Sequence, residues 1–136
     1  MRWTNLTPRC KGETPKARHF HNAVFAQRRM YVFGGYNGSV WCNDVTALNV
    51  DTLTWEAVEP CCSGGGAGES LSAGELRTSS SGSSSSAKPA PRASSSLLVL
   101  NEHTLLMFGG YSGTEGFLAD MWLAPAHSSF NTGWDI

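Results

Sequence analysis

The sequence predicts an all-β fold built from two copies of one antiparallel unit, and three observations carry that expectation. The first is an order of events that occurs twice. Arg18 leads through His21 to Met30-Tyr31-Val32-Phe33-Gly34-Gly35-Tyr36 and on to Asn43-Asp44 and Trp55; Arg92 leads to Leu105-Leu106-Met107-Phe108-Gly109-Gly110-Tyr111 and on to Asp120 and Trp134. The offsets barely drift, with 16 and 17 residues from Arg to the glycine pair and 10 and 11 from that pair to Asp. The second observation is that the apolar runs are short and end in glycine, which suits strands buried on both faces. The third is that no window of a dozen residues carries an i, i+3, i+4, i+7 apolar stripe, so no substantial helix is expected.

Each element follows in order. Asn22 to Phe25 and Met30 to Phe33 are separated by the polar Gln27-Arg28-Arg29, and Ser96 to Leu100 and Leu105 to Phe108 by Asn101-Glu102-His103. Both arrangements read as hairpins. Thr52 to Val58 alternates as an outer strand with one wet face would. Trp3-Thr4-Asn5-Leu6 is similar to Trp55-Glu56-Ala57-Val58, so 1–14 reads as the end strand of a preceding unit with its linker. Repeat one spans 15–60 and repeat two 91–136. In the second copy Pro125 cannot donate to a ladder, which places the end of its third strand near Leu123.

Between the copies the chain changes character. Residues 63–88 hold ten Ser, six Gly and three Ala among 26. Such a stretch lacks the apolar surface to offset its ordering entropy, so 61–90 is expected to be a low-complexity, disordered loop. Without those 26 residues the spacing of the glycine pairs falls from 75 to 49.

Composition narrows the function classes. Ten Lys and Arg against eleven Asp and Glu give a net charge of −1, which argues against binding nucleic acid or an anionic membrane by phosphate neutralisation. No apolar run exceeds about four residues, far below the ~20 of a membrane helix. Arg2, Thr4 and Asn5 interrupt any leader after Met1, so a cytoplasmic location is expected. Cys10, Cys42, Cys61 and Cys62 show no CxxC spacing and are expected as reduced thiols.

These residues resemble the kelch-repeat family of β-propellers. The resemblance rests on the double glycines (Gly34-Gly35, Gly109-Gly110), Arg18 with His21, Asn43-Asp44, and Trp55 with Trp134. It covers Trp3–Leu6, Pro15–Val58 and Pro91–Ile136. It implies four-stranded antiparallel blades, with the tryptophans wedged between neighbours and His21, Asp44 and Asp120 in structural roles. The second copy departs from the pattern at Ser95, which stands where His21 does, and at Ala119, which stands where Asn43 does. Two blades are fewer than the roughly four to eight of a closed propeller. The chain is therefore expected to be part of a longer protein or to assemble with copies of itself.

By the same resemblance, Arg18, Tyr36, Arg92 and Tyr111 are candidates for contacts with a partner protein on the rim. The alternative for the arginines is structural, pairing with carbonyls or with Asp44 and Asp120. His19 and His21 share a strand face but have no acid or Cys nearby in sequence, so no metal site is expected and no cofactor. Gly64-Gly65-Gly66-Ala67-Gly68 lacks the Lys-Ser/Thr of a phosphate loop. The functional expectation is a non-catalytic protein-interaction module of the scaffold or substrate-adaptor type. The contrasting one is a piece of a galactose-oxidase-like propeller enzyme, which would need a Tyr–Cys pair and two His on one copper, with His103 and His127 the histidines left to supply them. Arg77-Thr78-Ser79 also invites a regulatory role through phosphorylation.

Overall fold

The computed structural model describes residues 1–58 and 88–126. Of the loop expected over 61–90, residues 61–87 lie outside the described residues, as do Cys61, Cys62, the Arg77 phosphorylation motif, His127 and Trp134. Among the described residues there is one 3-10 turn, Thr7–Arg9, and otherwise only strands. No helix among the described residues is long and apolar enough to cross a membrane.

The first sheet contains β1 (Lys11–Gly12), β2 (Asn22–Ala26), β3 (Arg29–Phe33), β4 (Val45–Asn49) and β5 (Thr54–Ala57), in the order β1-β5-β4-β3-β2. Strands β2 to β5 form an antiparallel meander. The second sheet contains β6 (Ser96–Asn101), β7 (Thr104–Ser112) and β8 (Gly116–Pro125), again antiparallel in sequence order. Both expected hairpins are present. Gln27 and Arg28 turn the first with φ of 48° and 61°, the left-handed pair that matches the twist of two strands joined by two residues.

Two details differ from expectation. Trp3–Leu6 forms no strand, and Trp3 is 90% exposed. Pro8 lies in the 3-10 turn that follows, and Lys11–Gly12 takes the outer edge of β5, running parallel to it. The third strand of the second blade does not stop near Leu123 but continues to Pro125, opposite Thr104. Pro125 is the strand's last residue and β8 is an edge strand among those described, so the missing N–H leaves no ladder bond unmade on an outer neighbour.

The core lies between the two sheets. One face of the first sheet, with Val24, Ala26, Tyr31, Val45 and Ala47, packs on Leu97, Leu105 and Ala124 of the second. Tyr31 is fully buried and its phenol donates to the Ala126 carbonyl, so the largest side chain of the buried cluster also satisfies its polar tip. Backbone bonds stitch the seam. Gly35 N–H donates to Arg92 O (2.9 Å), Arg92 N–H to Cys42 O (3.0 Å) and Ser94 N–H to Phe20 O (2.9 Å).

At Gly34 the backbones of the two blades approach closely. Its φ is +63°, and a Cβ there would stand 2.5 Å from the Arg92 carbonyl oxygen. Gly38 has a similar positive φ, +92°, but open space around it. Gly34→Ala is expected to destabilise the fold by about 3 kcal/mol or more, and Gly38→Ala by only about 1 kcal/mol, the cost of the backbone conformation alone. Chemical denaturation of the two variants checks this; equal losses would mean that clearance at the seam does not matter.

Candidate functional site

The site grows from the Arg at the head of each repeat. Arg18 donates through Nε to the Lys16 carbonyl, through Nη1 to the Gly34 carbonyl (3.0 Å), and through Nη1 and Nη2 to both carboxylate oxygens of Asp44 (2.7 and 3.0 Å). Arg92 repeats every bond: Nε to Ala90 O, Nη1 to Gly109 O (3.0 Å), and the fork to Asp120 (2.5 and 2.8 Å). The structural alternative is thus the one realised. Both guanidiniums have most of their donors committed inside their own blade, and the Arg92 side chain is only 1% exposed. The arginines set the rim's shape beneath its surface.

What they shape is the turn after each glycine pair. Gly35 and Gly110 both have positive φ, and a Cβ on either would meet the backbone two turns earlier: His19 O and His21 Cβ for Gly35, Ala93 O and Ser95 Cβ for Gly110. Ser95 therefore does stand where His21 does. The same turn brings Tyr36 against His19 and Tyr111 against Ala93 in paired backbone bonds of 2.8–3.0 Å. Ser95 accepts from Asn22 Nδ2 (2.8 Å) across the seam. Asn43 donates to the Pro89 carbonyl (3.3 Å), a tie that Ala119 cannot repeat.

Both tyrosines emerge on one rim, and each has an aromatic partner in its own repeat. Tyr36 packs on Trp41 (5.0 Å between centroids) and Tyr111 on Phe117 (5.4 Å). Trp41 also meets Tyr111 edge-on at 5.5 Å, joining the blades. His19 extends the row, 5.5 Å from Tyr36 and 4.6 Å from Phe20. Phe20, Tyr111 and Phe117 are exposed. Neither Trp41 nor Phe117 is evident from the repeated identities, yet a signal exists: each lies three residues before the Asp of its repeat.

The remaining expectations fall as follows. Trp55 pairs with Leu48 on the face of the first sheet turned away from the second. Trp122 donates to Asp120 (2.5 Å) and lines, with Phe33, Val45, Leu105 and Met107, a residual apolar cavity of about 60 Å³ between the blades. His103 lies in the β6–β7 turn, its Nδ1 3.1 Å from Gln27 Nε2. Among the described residues no three His, Cys, Asp or Glu side chains gather where they could hold a metal. Cys10 and Cys42 are free thiols.

The Arg92 hydrogen bonds hold the Asp120 carboxyl below the usual carboxylate range; burial opposes this, and the Trp122 indole adds to it. A carboxylate whose folded pKa is depressed adds stability above its unfolded pKa and loses it as pH falls through the folded one. Asp120→Asn is expected to cost about 2–3 kcal/mol at neutral pH, less than the 3–5 for a fully buried pair because Asp120 is 37% exposed. The gap from the parent should narrow as pH falls below about 4. Urea titrations across pH 2.5–7 test this, and a gap independent of pH would exclude the ion pair as its source.

The model of the KLHDC2/KLHL20/DRC7 Kelch-repeats domain matches residues 1–75. The chain is 35% identical over 71 residues to Acyl-CoA-binding domain-containing protein 6 of Oryza sativa subsp. japonica, covering 52% of this chain and 10% of that protein. It is 39% identical over 57 residues to Acyl-CoA-binding domain-containing protein 5 of Arabidopsis thaliana, 42% of this chain and 8% of that one. With Kelch domain-containing protein 3 of Homo sapiens it shares 40% identity over 55 residues, 39% of this chain and 14% of that one. The chain thus matches only a small part of each curated relative. Together with the two blades, their Arg–Asp clasps and their glycine pairs, the match places this chain in the kelch-repeat family.

Proposed function

We propose that the chain is a non-catalytic protein-interaction module of the scaffold or substrate-adaptor type, and that it binds a protein partner through the rim carrying Tyr36 and Tyr111. The observation that carries this reading is the aromatic row itself. Five rings from two repeats are joined in one strip, exposed at His19, Tyr111 and Phe117 and half-buried at Tyr36 and Trp41, where a monomeric surface ordinarily scatters its large apolar groups. Tyr and Trp are the residues on which interface energy concentrates, because they bring large area at low conformational cost. Arg18 and Arg92 act on that contact through the positions of the turns above them. A longer parent chain, or further copies of this one, supplies the remaining blades.

The test compares proteins captured by the full chain with those captured by Tyr36→Ala/Tyr111→Ala and by Glu102→Gln, whose substitution lies in the β6–β7 turn at the opposite end of the blade. Quantitative mass spectrometry should show a set of proteins depleted at least about tenfold by the tyrosine variant alone. Equal depletion by both variants, or none by either, would remove the rim from the function.

A further inference from the structure

Resting on that reading, we propose that the aromatic row recognises a proline-rich segment in the polyproline II conformation. Three features of the row point to this ligand and not to a charged or helical one.

The first is spacing. Successive rings step by 5.0–5.5 Å from His19 through Tyr36, Trp41 and Tyr111 to Phe117. Two successive steps reach at most about 10.5–10.9 Å, so a modest bend of the row would bring every second ring near the 9.3 Å turn of a polyproline II helix, three residues at ~3.1 Å each. The rings stand at 48–81° to their neighbours, so faces and edges alternate along the row.

The second is polarity. The polar groups on the row are the Tyr36 and Tyr111 hydroxyls, the Trp41 indole N–H and, at its end, the His19 imidazole, and among the described residues no side-chain hydrogen bond engages the hydroxyls or the indole. An indole donates only, and a phenol donates readily. A proline-rich segment offers carbonyl acceptors and few N–H donors, so acceptors meet donors along the contact. The turns beside the row, 36–43 and 112–116, contain one charged residue, Glu115, and the segment leading to His19 adds Lys16 and Arg18, the latter paired with Asp44. Recognition of acidic or phosphorylated motifs needs a cluster of arginines, and both arginines of the site are engaged below.

The third is a recess of about 260 Å³ beside the row, lined by Trp41, Val40, Ser112, Gly113, Thr114 and the chain's own Pro91. The structure thus already sets a proline ring in the same recess as the Trp41 indole. A preformed extended ligand also loses little entropy on binding, which suits a strip supported by rigid turns.

The probe is fluorescein-labelled decaproline, titrated with the full 136-residue chain and read by fluorescence anisotropy, beside a labelled Gly-Ser decapeptide. Saturable binding of decaproline alone is expected. Trp41→Ala and Tyr111→Ala should each weaken it at least about tenfold, Tyr111→Phe by a few-fold through loss of the donor, and Glu102→Gln not at all. Trp41→Phe, which keeps a ring, and near-UV circular dichroism of every variant separate loss of contact from loss of fold. Absence of saturable binding, binding indifferent to Trp41→Ala, or displacement by cellohexaose, which would reveal a sugar platform, overturns the assignment. A random dodecapeptide library panned on the same chain separates this failure from that of the broader reading. Proline-free peptides lost with Tyr36→Ala/Tyr111→Ala would overturn the proline assignment and leave the protein-binding rim standing. No rim-dependent peptide at all would sink both.

Discussion

The structure depends on a bidentate Arg–Asp pair made once per repeat. Arg92 shows why a residue so costly to bury is placed there. Its guanidinium satisfies the Gly109 carbonyl and the Asp120 carboxylate within its own blade, while its backbone N–H and C=O bond to Cys42 and Gly35 of the other. One residue therefore fixes both the internal geometry of the second blade and its register against the first. A lysine could not do this, because a point charge does not span two carboxylate oxygens and a carbonyl in one plane. The Arg18–Asp44 pair holds the first blade in the same way, and so the glycine turns above both pairs have the same shape.

The rim follows from that shape. With the Gly34 and Gly109 carbonyls each held by an Arg, the chain after each pair folds back on the residue that follows that Arg. Tyr36 and Tyr111 are then delivered to equivalent points, and the aromatic three residues before each Asp returns beside its tyrosine. The row is a product of the repeat and needs no further device to align it. Its joint is Trp41, which lies so close to Gly113 that a Cβ there would come within 2.2 Å of the indole nitrogen.

Much of this was legible in the sequence. The glycine pairs, the Arg-to-Gly and Gly-to-Asp spacings and the polar turns place β2, β3 and β6 to within about a residue, because each is bounded by residues with a particular backbone preference. Strand β7 starts within a residue of its expected place but runs on through its glycine pair to Ser112. The alternative pairing of Arg18 and Arg92 with Asp44 and Asp120 was open from spacing alone; only the folded chain shows the carboxylates within reach of both nitrogens. Trp41 and Phe117 were not visible because the repeat conserves their class and not their identity. Trp3–Leu6 is similar to Trp55–Val58 in composition, but a strand also needs a free edge, and Lys11–Gly12 occupies the outer edge of β5. Which segment takes an edge is a tertiary outcome that local pattern does not encode.

The two blades also show how far burial is set by the neighbour and not by the residue. Phe33 and Phe108 each precede a glycine pair, yet Phe33 is 4% exposed and Phe108 47%. The same holds along the sheet: Val24 and Ala47 pack in the seam, while Leu98 and Leu123, at the same offsets from Arg and Asp, face solvent. Conversely, Leu105 and Met107 are buried on the opposite face, and Met30 and Val32 occupy that face in the first blade. Each repeat thus presents one face to the repeat after it and the other to the repeat before it. Such an interface is heterologous, joining unlike faces, and stacks by rotation until a ring closes. The apolar residues on the outer face of the second blade are therefore the first blade's buried face repeated, and on the proposed reading a further sheet of the same kind, turned the same way, would cover them. That rotation would carry the aromatic row onward as an arc around one rim, with the Arg–Asp pairs beneath it setting the pitch.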